Sequence, residues 1–341
     1  MLEQLGHYHQ ALVSYQRAVT ARPDNTLALA HQCAVLNELE QFEAAIAACD
    51  AAFQGNNLWD GIGPAYGWSQ TSAAQIGLGE YEAALASANR AIALNADYLG
   101  GWNNKAVSLW HLQDYEEALQ SITIDRETPA PEPFMFQRRR QVLMASNQGL
   151  ILYAMERYQH AIAAYSTAIA LQQLGQNYLG EAGTLVDADF MARVWVNLAN
   201  AQLAERQLAQ ATVSARTATQ QSHTTTDAWY TLALTHFAEG NYDAAWVAYQ
   251  QAAQLQPERI DILMGQALTL KQAGCTQEAF QVFGALLNLD PSNPVARREY
   301  RNLLQEQQQP IAADADTDLE TTAPDTTEEP KTLIEFCSRQ R

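Results

Sequence analysis

Three stretches of this chain carry the same sparse pattern of residues, and two of them lie 34 residues apart. Gly6, Tyr8, Ala11, Tyr15, Ala18 and Pro23 define one copy, and Gly240, Tyr242, Ala245, Tyr249, Ala252 and Pro257 define another. Gly274, Thr276, Ala279, Phe283, Leu286 and Pro291 define the third. A fixed period constrains a fold strongly, because a unit this short cannot bury its apolar face alone and must stack on its neighbours. Within a copy the apolar residues recur at three and four, the spacing of one helix face. The glycine suits the positive φ of a turn between two helices, and the proline stops the second one. Ala and Gln dominate the body of the chain and favour helix, whereas the period-two β-branched runs of a sheet are missing. The expected fold class is all-α.

These blocks resemble the tetratricopeptide repeat, a helix–turn–helix unit of the same length. The best copy, 226–259, matches that family at Trp229, Leu232, Ala233, Gly240, Tyr242, Ala245, Tyr249, Ala252 and Pro257. The resemblance implies an α-solenoid, a right-handed superhelix of about eight repeats over residues 1–308. Copies are expected near 1–25, 26–59, 65–98, 99–132, 142–175, 192–225, 226–259 and 260–293, with a capping helix at 294–308. Small residues recur where the two helices of a unit must approach to about 8–10 Å. Examples are Ser72 with Ala84 and Ala91, Ala106 with Ala118, and Ala199 with Ala211. Trp68, Trp102, Trp195 and Trp229 are expected in the core.

Several segments depart from the pattern. Residues 60–64 form a short insert, prolines 129, 131 and 133 replace the end of the fourth copy, and about 176–191 form a second insert. Both later interruptions are expected to lengthen the first helix that follows. Met1 falls about ten residues into its repeat, so the chain either starts further upstream or uses its first full helix, about 7–21, as a cap. Residues 309–341 form an acidic tail, expected to be disordered, with an apolar island from Leu333 to Phe336.

The charge argues against nucleic acid as a partner. Net charge is -18 and the pI about 4.7, while phosphate binding needs a surplus of Lys and Arg. No apolar run approaches the ~20 residues of a membrane helix, and no secretory signal precedes the repeats, so no membrane insertion and a cytoplasmic location are expected. Composition suggests a bacterial source. Cys33, Cys49, Cys275 and Cys337 show no C-x-x-C spacing, so neither a disulfide framework nor a zinc site is expected, and Cys33 and Cys49, inside helical patterns, are read as small apolar residues. Phosphate-loop, dinucleotide, metalloprotease and activated-nucleophile motifs are missing, and no cofactor or metal is expected.

In the family the first helix of each unit lines the concave face. At the sixth repeat position the copies carry His31, Gln70, Asn104, Asn147, Asn197 and Thr231, all able to hydrogen-bond. Asn is a mediocre helix former whose amide both donates and accepts, which suits an extended peptide backbone. The row is therefore read as a partner-binding ladder with its amides unpaired in the free protein. Tyr66, Trp110, Tyr153, Tyr230 and Phe237 stand nearby as anchors for partner side chains, or as ordinary inter-repeat packing. Relatives that clamp a terminal carboxylate use two lysines; Asn103 and Val107 occupy those places, and only Arg193 is basic, so a full clamp is not expected. Arg138, Arg139 and Arg140 form the one dense basic cluster, a solvated helix turn or a docking patch for an acidic partner or for the chain's own tail.

The expected function is a non-catalytic adaptor or scaffold that holds an extended segment of a protein partner, with self-docking of the C-terminal tail as a means of competition. The alternative is the substrate-recognition array of an enzyme whose catalytic domain lies upstream or on a separate chain.

Overall fold

A computed structural model describes residues 2–3, 6–123, 134–179, 186–308, 333 and 337. Among the described residues it contains sixteen helices and no strand. They fall into two compact units, residues 1–186 and 187–341.

In the first unit, α1 (Tyr8–Ala21) is followed by four helix pairs. These are α2 (Thr26–Glu38) with α3 (Phe42–Gln54), α4 (Gly63–Gly77) with α5 (Tyr81–Leu94), α6 (Leu99–His111) with α7 (Tyr115–Ile122), and α8 (Phe134–Ala154) with α9 (Tyr158–Leu179). The second unit holds three pairs and a last helix. These are α10 (Ala188–Ala204) with α11 (Leu208–Gln221), α12 (Thr226–Ala238) with α13 (Tyr242–Leu255), α14 (Ile260–Gln272) with α15 (Thr276–Leu289), and then α16 (Pro294–Gln308). Within each unit the first helices also pack on one another, α2 on α4, α4 on α6 and α6 on α8, then α10 on α12 and α12 on α14. Each unit is an all-α solenoid of helical repeats.

One turn joins the helices of every pair. Its reversed residue takes positive φ, and the two amides that follow the helix bond back to the carbonyls left open at its end. In the turn after α12, Gly240 N–H donates to Phe237 O and Asn241 N–H to His236 O. Glycine occupies the reversed position at Gly79, Gly240 and Gly274, but Glu40, Gln113, Glu156 and Arg206 hold it elsewhere with φ of 58 to 65°. The expectation of glycine there therefore holds for three pairs, and tertiary packing imposes the same turn on the others. Second helices start cleanly where a side chain caps them, as Asn241 does for Ala244 N–H and Asp114 for Glu117 N–H.

Close packing explains the recurrent alanines. Ala45, Ala84, Ala118, Ala161, Ala211, Ala245 and Ala279 are all fully buried where a second helix meets its partner. At Gly149 the approach is closer still: a Cβ built there would lie 2.5 Å from the ring of Tyr165, which is itself fully buried.

One expectation about the inserts is met, and others stand aside. The segment about 176–191 was expected to lengthen the helix after it, and α10, which starts at Ala188, runs for 17 residues against 13 in α2, α6, α12 and α14; the first part of the segment also extends α9 to Leu179. The proline segment at 129–133, residues 180–185, the acidic tail over 309–332 and most of the island from Leu333 to Phe336 lie outside the described residues.

Candidate functional site on the first-helix face

The first helices of unit 1 surround a cavity of about 220 Å3, bounded by α2, α4, α6, the start of α8 and Glu3. Tyr66, Gln70, Asn104, Arg139 and Arg140, five of the residues singled out from sequence, line it together. Glu3, Glu38, Tyr98 and Asn103 line it as well and were missed. Asn103 falls next to the Asn row, so its repeat position was a usable signal. Glu3 and Glu38 carried none, since nothing local marks an acidic residue at a helix end for a distant partner.

A chain of rings and charges forms one wall. Glu3 accepts from the Tyr15 hydroxyl at 2.9 Å and faces His31 Nδ1 at 3.1 Å. Burial opposes the charged form of Glu3, but the hydrogen bond and charge of His31 and the Tyr15 hydroxyl outweigh it, and its pKa is lowered. Tyr15 stacks on His31, His31 leans on Tyr66, and Tyr66 meets Tyr98 edge to face at 6.5 Å. Burial drives the Tyr66 phenol well above its ordinary value, so it stays a neutral donor. Arg140 closes the chain, donating to Tyr98 Oη at 3.0 Å with its guanidinium 4.5 Å from the ring centroid.

Arg139 reaches across to α2 and donates to both oxygens of Glu38, at 3.1 and 3.0 Å. Desolvation works against its charge, but Glu38 more than compensates and the Arg139 pKa is raised. Arg138 donates to Gln141 on its own helix. Arg139, expected in a solvated turn or an open docking patch, is therefore engaged inside the unit.

The position-six row differs from its expected form. Asn104 is buried, and its amide donates to Ser69 O at 2.8 Å and lies 3.2 Å from Ser69 Oγ. Asn147 donates to Asn103 Oδ1 at 2.9 Å, and Asn37 donates to Gln70 O and Oε1 at 2.9 and 3.1 Å. These amides stitch each first helix to the preceding one. The expectation of unpaired amides at Asn104 and Asn147 is thus overturned: the first helices pack closely enough for a short amide to find the neighbouring backbone before any ligand does.

The remaining residues are dispersed. Trp110 is half-buried against His111, and Tyr153 is exposed beside Tyr158. In unit 2, Asn197 is half-buried on α10, Arg193 lies over the Phe190 ring, and Thr231 is buried on α12. Tyr230 meets Tyr249 edge-on and lies beneath Arg259, which pairs with Asp227 and Asp261. Phe237 packs edge-on against Tyr242.

The expectation of no disulfide framework is also corrected. Cys33 pairs with Cys49, and Cys275 with Cys337, with Cα atoms 5.4 and 5.6 Å apart. Cys33 and Cys49 face each other across one helix pair, a juxtaposition that a separation of 16 residues does not announce. Cys275, Cys337 and Glu278 are grouped so that their donor atoms fall within 4.8 Å, a set that could hold a metal ion only with both thiols reduced. Among the described residues no helix is long and apolar enough to cross a membrane.

The tetratricopeptide-repeat family profile matches residues 74–123 and 230–294. Among solved structures, the APC/C hetero-tetramer Cut9–Hcn1 is similar with a TM-score of 0.62 at 15% identity, covering 89% of this chain and 54% of that one. The chain therefore spans about half the length of that relative. PilF of Pseudomonas aeruginosa gives 0.51 at 18% identity, covering 71% of this chain and 97% of that one. A tetratricopeptide repeat protein of Parabacteroides merdae gives 0.50 at 14%, covering 79% and 94%. Likeness at these identities is one of fold. No curated protein sequence matches the chain.

Proposed function

Because this chain is a tetratricopeptide-repeat protein, a fold that generally serves as a non-catalytic interaction scaffold, we propose that it holds an extended segment of a protein partner on the first-helix face of unit 1. The observation that carries this reading is the cavity between α2, α4, α6 and α8. Its volume of about 220 Å3 is below the range of roughly 300–1,000 Å3 usual for small-molecule sites, and suits one large side chain of a peptide better than a cofactor. Its lining mixes Tyr66 and Tyr98 rings with amide and charged groups, the blend that anchors a side chain and fixes its orientation. In this reading the helix pairs are the repeat copies beginning near 26, 65, 99 and 142, and complex assembly is the setting in which such a grip is used. The cysteine pairs weigh against the cytoplasmic expectation, since disulfides persist in oxidising compartments.

The test fills the cavity. Ala73 is half-buried and borders it, so Ala73→Phe puts a ring where the partner's side chain would sit. A partner cross-linked to the wild-type chain in native lysate should be lost from the variant while the melting midpoint stays the same. Undiminished capture by a folded variant would rule out this cavity as the anchor.

A further inference from the structure

We infer that Cys275 and Cys337 form a thiol–disulfide exchange site that latches the C-terminal segment onto the last helix pair of unit 2. The site is separate from the unit 1 cavity, and the inference stands without the function proposed there.

Leu333 and Cys337 are four apart in sequence, a helical spacing, and each is in helical conformation. Both are buried, at 2% and 5% exposure, in a cluster with Leu270, Cys275, Ala279 and Phe283. Leu333 N–H also donates to Asp243 Oδ1 at 2.6 Å on the first turn of α13. Among the described residues, Leu333 and Cys337 are thus tied to an edge formed by α13, α14 and α15 by apolar packing, a hydrogen bond to a carboxylate and a covalent bond.

The sequence separation between the two cysteines is large. The paired cysteines are 62 residues apart, and α16 ends at Gln308, so 24 residues separate it from Leu333. Closing a chain of that length carries an entropic cost that the contacts of Leu333 alone oppose weakly, and a cross-link offsets it. The covalent bond decides whether it stays closed. Cys33–Cys49 is the internal contrast: both sulfurs are fully buried between α2 and α3, and breaking that bond frees no segment.

The chemistry balances with a dithiol reductant as co-reactant. Its thiolate attacks one sulfur of the Cys275–Cys337 bond, and a mixed disulfide forms while the other cysteine leaves as a thiolate and takes a proton. The second thiol of the reductant then displaces the attacked cysteine. Two electrons pass to the protein, giving two cysteine thiols and an oxidised reductant. Cys275 is the N-cap of α15, so a thiolate leaving there faces the positive end of the helix, which favours it as the leaving sulfur. Both sulfurs are shielded, so exchange proceeds through lifting of the Leu333 anchor, and reduction makes that opening lasting.

The experiment uses the full chain, purified oxidised and titrated with dithiothreitol. Differential alkylation read by mass spectrometry reports each cysteine, and hydrogen exchange reports the amides around Cys275 and Cys337. Cys275 and Cys337 should become alkylated together, at a lower dithiothreitol concentration than Cys33 and Cys49, with protection around Cys337 lost in the same step. Cys337→Ser should show that loss without reductant, and a Cys33→Ala/Cys49→Ala chain should keep the dithiothreitol response. Free thiols at Cys275 and Cys337 before reduction, including a pair that holds zinc, would overturn the latch. So would protection around Cys337 that is unchanged by reduction.

Discussion

Arg139 Nη2 on α8 lies 3.1 and 3.0 Å from the two oxygens of Glu38 on α2, joining residues 101 apart in sequence. The pair spans the first-helix face of unit 1 and fixes the start of α8, the helix that closes the cavity. Both side chains keep about a third of their surface exposed, so solvent screens the attraction. A double-mutant cycle with Glu38→Gln and Arg139→Gln, read by urea unfolding, should give a coupling of about 0.5 kcal/mol that shrinks at high salt. A coupling that does not change with salt would mean that packing, not charge, joins the two helices.

Glu3 makes the stability of unit 1 depend on acid. Its folded pKa lies below the ordinary value of 4.5, because His31 and Tyr15 hold the charged form against burial. A depressed carboxylate contributes stability that is complete above its unfolded pKa and lost as pH falls through the folded one. Melting midpoints of the wild-type chain should therefore fall as pH drops below 4.5. Glu3→Gln should lack that component, being less stable at neutral pH and nearer the wild type in acid.

Asn104 tests whether the amide row is structural. Its amide donates to a buried carbonyl at Ser69, so Asn104→Ala removes one hydrogen bond and leaves that acceptor without its partner. The loss should be about 1–2 kcal/mol in chemical unfolding. An unaltered midpoint would return Asn104 to the role of a free ligand-binding amide.

Gly149→Ala should cost about 1–3 kcal/mol, since the added methyl meets the buried Tyr165 ring and one of them must move. Combining it with Tyr165→Leu should be less than additive, because the second change opens the space that the first needs. Full additivity would show that the two residues do not share that contact.

The repeat pattern was sufficient for much of this architecture. Alanines such as Ala84, Ala118 and Ala245 recur where paired helices touch, and Gly240 and Gly274 mark turns, because helix period and close approach are local demands that each copy must meet for itself. Tyr66, Gln70 and Asn104 could be put on one face for the same reason. Their roles could not be assigned, because whether an amide meets a ligand or Ser69 depends on how near the preceding helix lies. Glu3 with His31, Arg139 with Glu38, and Cys275 with Cys337 were likewise invisible in sequence. Each is a meeting of one residue with one distant residue, and repeat spacing carries no record of it. Stacking of successive helix pairs alone brings such residues within bonding distance.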